Sequence, residues 1–137
     1  MADIAVLVVD DSPSFVRSVT RLLEQSNVAS VLGSASSAED GLEQVAALRP
    51  DLVIMDISLP GMSGIEATGR LKQTPGAPPV IIVTMHDDPE YREAALAAGA
   101  DGFVVKSELD SDLIGVMMEV VAKHWAEATR GPRGSET

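Results

Sequence analysis

Five short apolar runs recur along this chain at near-regular spacing: Ile4–Val9, Val28–Leu32, Leu52–Met55, Val80–Val83 and Phe103–Val105. Each is rich in β-branched residues and bounded by polar or turn residues, the pattern of a strand buried on both faces. Helical spacing fills the gaps. Ser14–Gln25 places Phe15, Val19, Leu22 and Leu23 on one face, and Ala38–Leu48 groups Leu42, Val45, Ala46 and Leu48 after a Ser-Ser-Ala-Glu start that resembles a capping box. Ile65–Lys72 is shorter and is stopped by Thr74-Pro75-Gly76. Pro89–Ala98 has proline in its first turn and Gly99 past its end. Leu109–Ala126 is a long last helix with Leu113, Val116, Met117, Val120, Val121 and His124 near one face. Five strand–helix repeats predict a parallel sheet covered by helices on both faces.

Right-handed crossovers leave few arrangements for such a chain. The flavodoxin-like (βα)5 doubly wound α/β fold, a five-stranded parallel sheet in the order 2-1-3-4-5, suits this size. Residues 1–128 form the expected domain. Residues 129–137 are polar, contain Gly131, Pro132 and Gly134, and read as a flexible tail or the start of a linker. Aromatics are scarce, so Val, Leu, Ile, Ala and Met must build the core. The chain has no cysteine, which excludes disulfides, thiolate metal sites and a cysteine nucleophile. No basic region precedes the first apolar run, and no run approaches a membrane span, so a cytoplasmic protein is expected. A net charge of −11 argues against direct nucleic-acid binding and favours cations or basic partner surfaces.

The ends of the apolar runs carry the chemistry. Asp56 directly follows Leu52–Met55, and Pro60, Gly61 and Gly64 then shape a tight loop. Asp10 and Asp11 end the first run. Asp11 or Ser12 suffices to cap the next helix, but packing needs no cluster of three acids. In the expected strand order the first and third strands flank the switch point, where ligands bind at carboxyl ends. Three carboxylates there repel and call for a cation, and an all-oxygen set favours Mg2+ or Mn2+ over zinc. Thr84 and Lys106 end the fourth and fifth runs. A hydroxyl and an ammonium at that edge are placed to meet phosphoryl oxygens.

Asp10-Asp11, Asp56 with Leu59-Pro60-Gly61-Met62-Ser63-Gly64, Thr84 and Lys106 together resemble the signature set of response regulator receiver domains. Gly99-Ala100-Asp101-Gly102-Phe103 resembles the family's approach to its fifth strand, and Met85–Leu109 is most similar to NarL-type receivers. The resemblance implies that Asp56 accepts a phosphoryl group from the phosphohistidine of a histidine kinase or phosphotransfer protein. It implies Mg2+ held by Asp10, Asp11, Asp56 and the backbone carbonyl of Ser58. Thr84 and Lys106 would hold phosphoryl oxygens, and Thr84 and Phe103 would form the switch. It implies a phosphoacceptor that also loses its phosphoryl group, not an enzyme in the usual sense. A downstream output domain or protein, and a homodimer through the Glu90–Gly99 helix, the fifth strand and the last helix, are family partners. Met85 stands where many receivers carry a small residue, and Ser107 where many carry proline. Ser58 and His86 occupy positions where the family tunes its phosphoryl lifetime.

Other classes fit less well. A receiver used only as an interaction module would not need the full set. A phosphatase with an Asp nucleophile needs an acid two residues on, where Ser58 stands. A nucleotide-binding Rossmann domain needs a glycine-rich loop, and none follows Val9.

Overall fold

The computed structural model describes residues 3–136, with side chains described through residue 127. In order, the elements are β1 (Ile4–Val9), α1 (Pro13–Ser26), β2 (Ala29–Ala35), α2 (Ala38–Leu48), β3 (Leu52–Asp56), α3 (Gly64–Lys72), β4 (Val80–Thr84), α4 (Pro89–Ala97), β5 (Gly102–Val105) and α5 (Leu109–Glu136). A 3-10 turn, Lys106–Glu108, leads into α5. The tail expected at 129–137 falls where side chains lie outside the described residues.

Short polar side chains start the helices. Ser12, Ser37 and Ser63 accept from the N–H groups of Phe15, Asp40 and Glu66, so each satisfies a donor the helix cannot. Asn27 and Arg49 stop α1 and α2 in the left-handed region, at φ 61° and 52°.

The strands pair in parallel in the order β2-β1-β3-β4-β5. Alternation along each strand divides the core. Val6 and Val8 join Val19, Leu23, Leu113 and Met117 beneath α1 and α5. Leu7 and Val9 join Val45, Ala67, Leu71 and Ala95 beneath α2, α3 and α4. Three central strands, β1, β3 and β4, have almost no exposed residue, as their continuous apolar runs predict.

β2 departs from expectation. It begins one residue after Val28 and continues past Leu32 through Gly33, Ser34 and Ala35. It is an edge strand, and pairing with β1 carries it on to Ala35 opposite Val9. Its outer edge meets solvent, so polar residues cost little there. Among the described residues, no helix is long and apolar enough to cross a membrane.

Candidate functional site

Register gathers the chemistry at the carboxyl edge of the sheet. Val9 lies opposite Met55, Asp56 opposite Val83, and Thr84 opposite Val105. Asp10, Asp56, Thr84 and Lys106 therefore leave the sheet side by side. Alternation then sorts their side chains. Val8, Ile54 and Val104 face α1 and α5, so Asp10, Asp56 and Lys106, each two residues on, take the same side.

Lys106 Nζ lies 2.8 Å from Asp10 Oδ2 and 3.6 Å from Asp56 Oδ2. The same nitrogen lies 4.2 Å from the centre of the Phe15 ring. Asp10 Oδ1 accepts from the N–H of Ser12 at 2.9 Å. Its Oδ2 is buried and is ion-paired with Lys106. Asp56 is buried, and its Oδ1 accepts from the N–H of Ser58 at 3.3 Å. Asp11 is exposed at the rim. Carboxylate oxygens of Asp10, Asp11 and Asp56 all lie within 4.8 Å of one another.

This crowding acts on Asp56. Burial, foremost, and then the charge of Asp10 push its carboxyl above the ordinary carboxylate range; Asp11 adds a smaller push. Lys106 and the Ser58 N–H oppose that shift without cancelling it. The cluster therefore lacks positive charge. Three converging carboxylates set against one ammonium suit a hard divalent cation, and Mg2+ fits such an oxygen set. A hollow of about 420 Å3 beside Asp10 and Asp11, bounded by Pro13, Arg17 and Asp40, opens the site to solvent.

Thr84 is buried, and its Oγ1 accepts from the N–H of His86 at 3.2 Å. Ser58 and His86 are exposed. Phe103 is half-buried on the α2–α4 side of the sheet. Met85 is 70% exposed, so its bulk turns to solvent and is not packed over Asp56. No cis peptide occurs among the described residues, Lys106–Ser107 included. A larger hollow, about 570 Å3, lies at the opposite pole and is lined by Arg49, Pro50, His124 and Trp125. Met117 is buried in the core, whereas Met118 is exposed.

Two residues at the site had no signal in the sequence. Phe15 reads only as an apolar position of α1, yet its ring faces Lys106. The guanidinium of Arg92 lies 4.4 Å from the centre of the Phe103 ring and pairs with Asp87 at 3.1 Å.

The chain is similar to known proteins over most of its length. The family model described as response regulator receiver domain matches residues 6–117. The nitrate/nitrite response regulator protein NarL of Escherichia coli (strain K12) is 30% identical over 117 residues, covering 85% of this chain and 54% of that protein. This chain thus spans about half the length of that relative. Among solved structures, a LuxR-family two-component response regulator from Aurantimonas sp. SI85-9A1 superposes with a TM-score of 0.84 at 33% identity, covering 89% of this chain and 87% of that one. The response regulator domain of Thermotoga maritima CheB gives 0.79 at 26% identity, covering 88% and 98%.

Proposed function

The chain belongs to the response regulator receiver family of two-component systems, and from that premise we propose that it is a switch thrown by phosphorylation of Asp56. The observation that carries this reading is the placement of Asp56. It is a buried carboxylate at a strand end, with Lys106 Nζ 3.6 Å from one oxygen and two further acids beside it.

In the reaction, a carboxylate oxygen of Asp56 forms a bond to phosphorus. The P–N bond to the donor's imidazole breaks, and its electron pair stays on the imidazole nitrogen. The donor is the phosphohistidine of a histidine kinase or phosphotransfer protein. Such transfer rests on positioning and charge stabilisation more than on covalent help. The N–H of Ser58 orients Oδ1 of Asp56 and leaves Oδ2 on the side of Lys106. Lys106 takes one phosphoryl oxygen, and the Thr84 hydroxyl takes another. Mg2+, held by Asp10, Asp11, Asp56 and the Ser58 carbonyl, would neutralise the carboxylates and bind a phosphoryl oxygen. Its charge would also favour the ionised Asp56 that attack requires.

Thr84 and Phe103 then relay the change. Thr84, whose Oγ1 accepts from the His86 N–H, turns to donate its hydroxyl proton to a phosphoryl oxygen, and Phe103 responds on the neighbouring strand. A partner protein, an output domain, or a second copy meeting α4, β5 and α5 would read the result. The net charge of −11 favours a protein reader over direct contact with nucleic acid.

Intact mass after incubation with a small acyl phosphate tests this. One Mg2+-dependent phosphoryl adduct is expected on the wild type and none on Asp56→Asn. Beryllofluoride, which mimics the phosphoryl group without hydrolysing, covers a short-lived adduct. If Mg2+ yields no adduct and beryllofluoride does not bind, the proposal is wrong.

A further inference from the structure

We propose that Phe15 is a positioning residue for Lys106, holding its ammonium beside Asp56 when Asp10 is engaged by a cation. The inference rests on Asp56 as phosphoacceptor but reaches a residue outside the expected site. Among the described residues, Lys106 meets Asp10, Asp56 and the face of Phe15. Two of these are anions with competing duties. Asp10 cannot give the same oxygen fully to Lys106 and to a divalent cation. Were Lys106 anchored by Asp10 alone, a cation there would release the lysine when a phosphoryl oxygen needs it.

The ring solves that conflict. Its negative face attracts an ammonium but offers nothing to a metal. Phe15 is half-buried on α1 and packs against the core under α1 and α5, which holds one side of its ring. The chain has two phenylalanines, and each carries a cation over its face. They differ in exposure. Arg92 is 46% exposed, whereas Lys106 is 15% exposed, and desolvation strengthens the second contact. Lys106 can slide between ring and anions while staying at the site, so it reaches a phosphoryl oxygen without crossing solvent.

The test compares wild type, Phe15→Leu and Phe15→Tyr, each with Lys106 and with Lys106→Met. Leucine fills much of the space but lacks the π face; tyrosine keeps it. Two readouts are taken: the ε-methylene proton resonances of Lys106, and the rate of phosphoryl adduct formation with a small acyl phosphate and Mg2+. The wild-type resonances should be shifted upfield by the ring, return to ordinary values in Phe15→Leu, and shift again in Phe15→Tyr. Adduct formation should slow about fivefold in Phe15→Leu, recover in Phe15→Tyr, and be indifferent to Phe15 once Lys106 is methionine. Ordinary Lys106 resonances in the wild type would overturn the proposal, and that reading stands even if Phe15→Leu does not fold. An equal slowing with Lys106→Met would overturn it too, because Phe15 would then act on packing alone. If wild type forms no adduct, the assignment of Asp56 fails separately, and the resonances alone decide whether Phe15 holds Lys106.

Discussion

Gly64 lies directly against the carbonyl of Asp56. A Cβ at Gly64 would overlap that carbonyl oxygen, come within 2.8 Å of the carbonyl carbon, and press on the Met55 side chain at 3.0 Å. The N–H of Gly64 also donates to the carbonyl of Ile57 at 3.0 Å, closing the loop after β3. The start of α3 is thus docked on the backbone of the residue proposed to take the phosphoryl group. The two nearest atoms are backbone and cannot swing aside as a flexible side chain would.

Gly64→Ala should therefore be costly. The added methyl must displace β3 or the start of α3, at about 2–4 kcal/mol. Denaturant unfolding reads the loss, and any folded fraction should show displaced amide resonances at Asp56 and Ile57. A variant as stable as wild type would show that the loop gives way freely.

Asp56→Asn should stabilise the metal-free protein at neutral pH, by roughly 1–2 kcal/mol, the scale of relieving a crowded buried charge. The sign follows from the raised carboxyl. Folded Asp56 binds its proton more tightly than unfolded Asp56, whose ordinary value is 3.8. Its favourable contribution is complete below that value and is lost as pH rises through the higher folded value. The stability gap between Asp56→Asn and wild type should accordingly widen through the acid range and then level off. Thermal unfolding without divalent cations, compared across pH, checks this. A gap that does not change with pH would sink the argument.

Mg2+ should raise the stability of the wild type. At free metal a hundredfold above the dissociation constant, the gain is about 2.7 kcal/mol. Asp10→Asn or Asp11→Asn should remove most of it by thinning the oxygen set. Equal gains in wild type and both variants would place the metal elsewhere.

Another ion pair secures the opposite end of the sheet. Lys72 Nζ lies 2.6 Å from Asp101 Oδ2, which also accepts from the N–H of Val80 at 2.9 Å. Lys72 donates in turn to the carbonyl of Pro78 at 3.2 Å. Asp101→Ala should cost about 1–2 kcal/mol, because it leaves a part-buried N–H without its acceptor. Amide exchange at Val80 should quicken more than exchange in β1. Unchanged protection at Val80 would contradict the assigned bond.

Much of the fold was legible because its signals are local. An apolar run of four to six residues declares a buried strand whatever it pairs with. Ser12 and Ser37 mark helix starts by bonding only three residues ahead. The limits of β1 came out of the sequence alone, and those of β3 fell short by one residue. β2 was read short, since Gly33 and Ser34 carry no strand signal and only pairing with β1 draws them in.

The same division holds at the site. Sequence by itself determined that Asp10, Asp11, Asp56, Thr84 and Lys106 stand at strand ends, because strand ends follow from hydropathy and turn residues, while crossover handedness and chain size narrow the strand order. Only the tertiary structure decided which of them touch. Register and alternation turn Asp10, Asp56 and Lys106 toward α1 and leave Phe103 on the other side of the sheet. The packing of α1 on that face then brings the Phe15 ring to Lys106. Contacts between residues so distant in the chain leave no mark in local periodicity, because they depend on how finished elements dock.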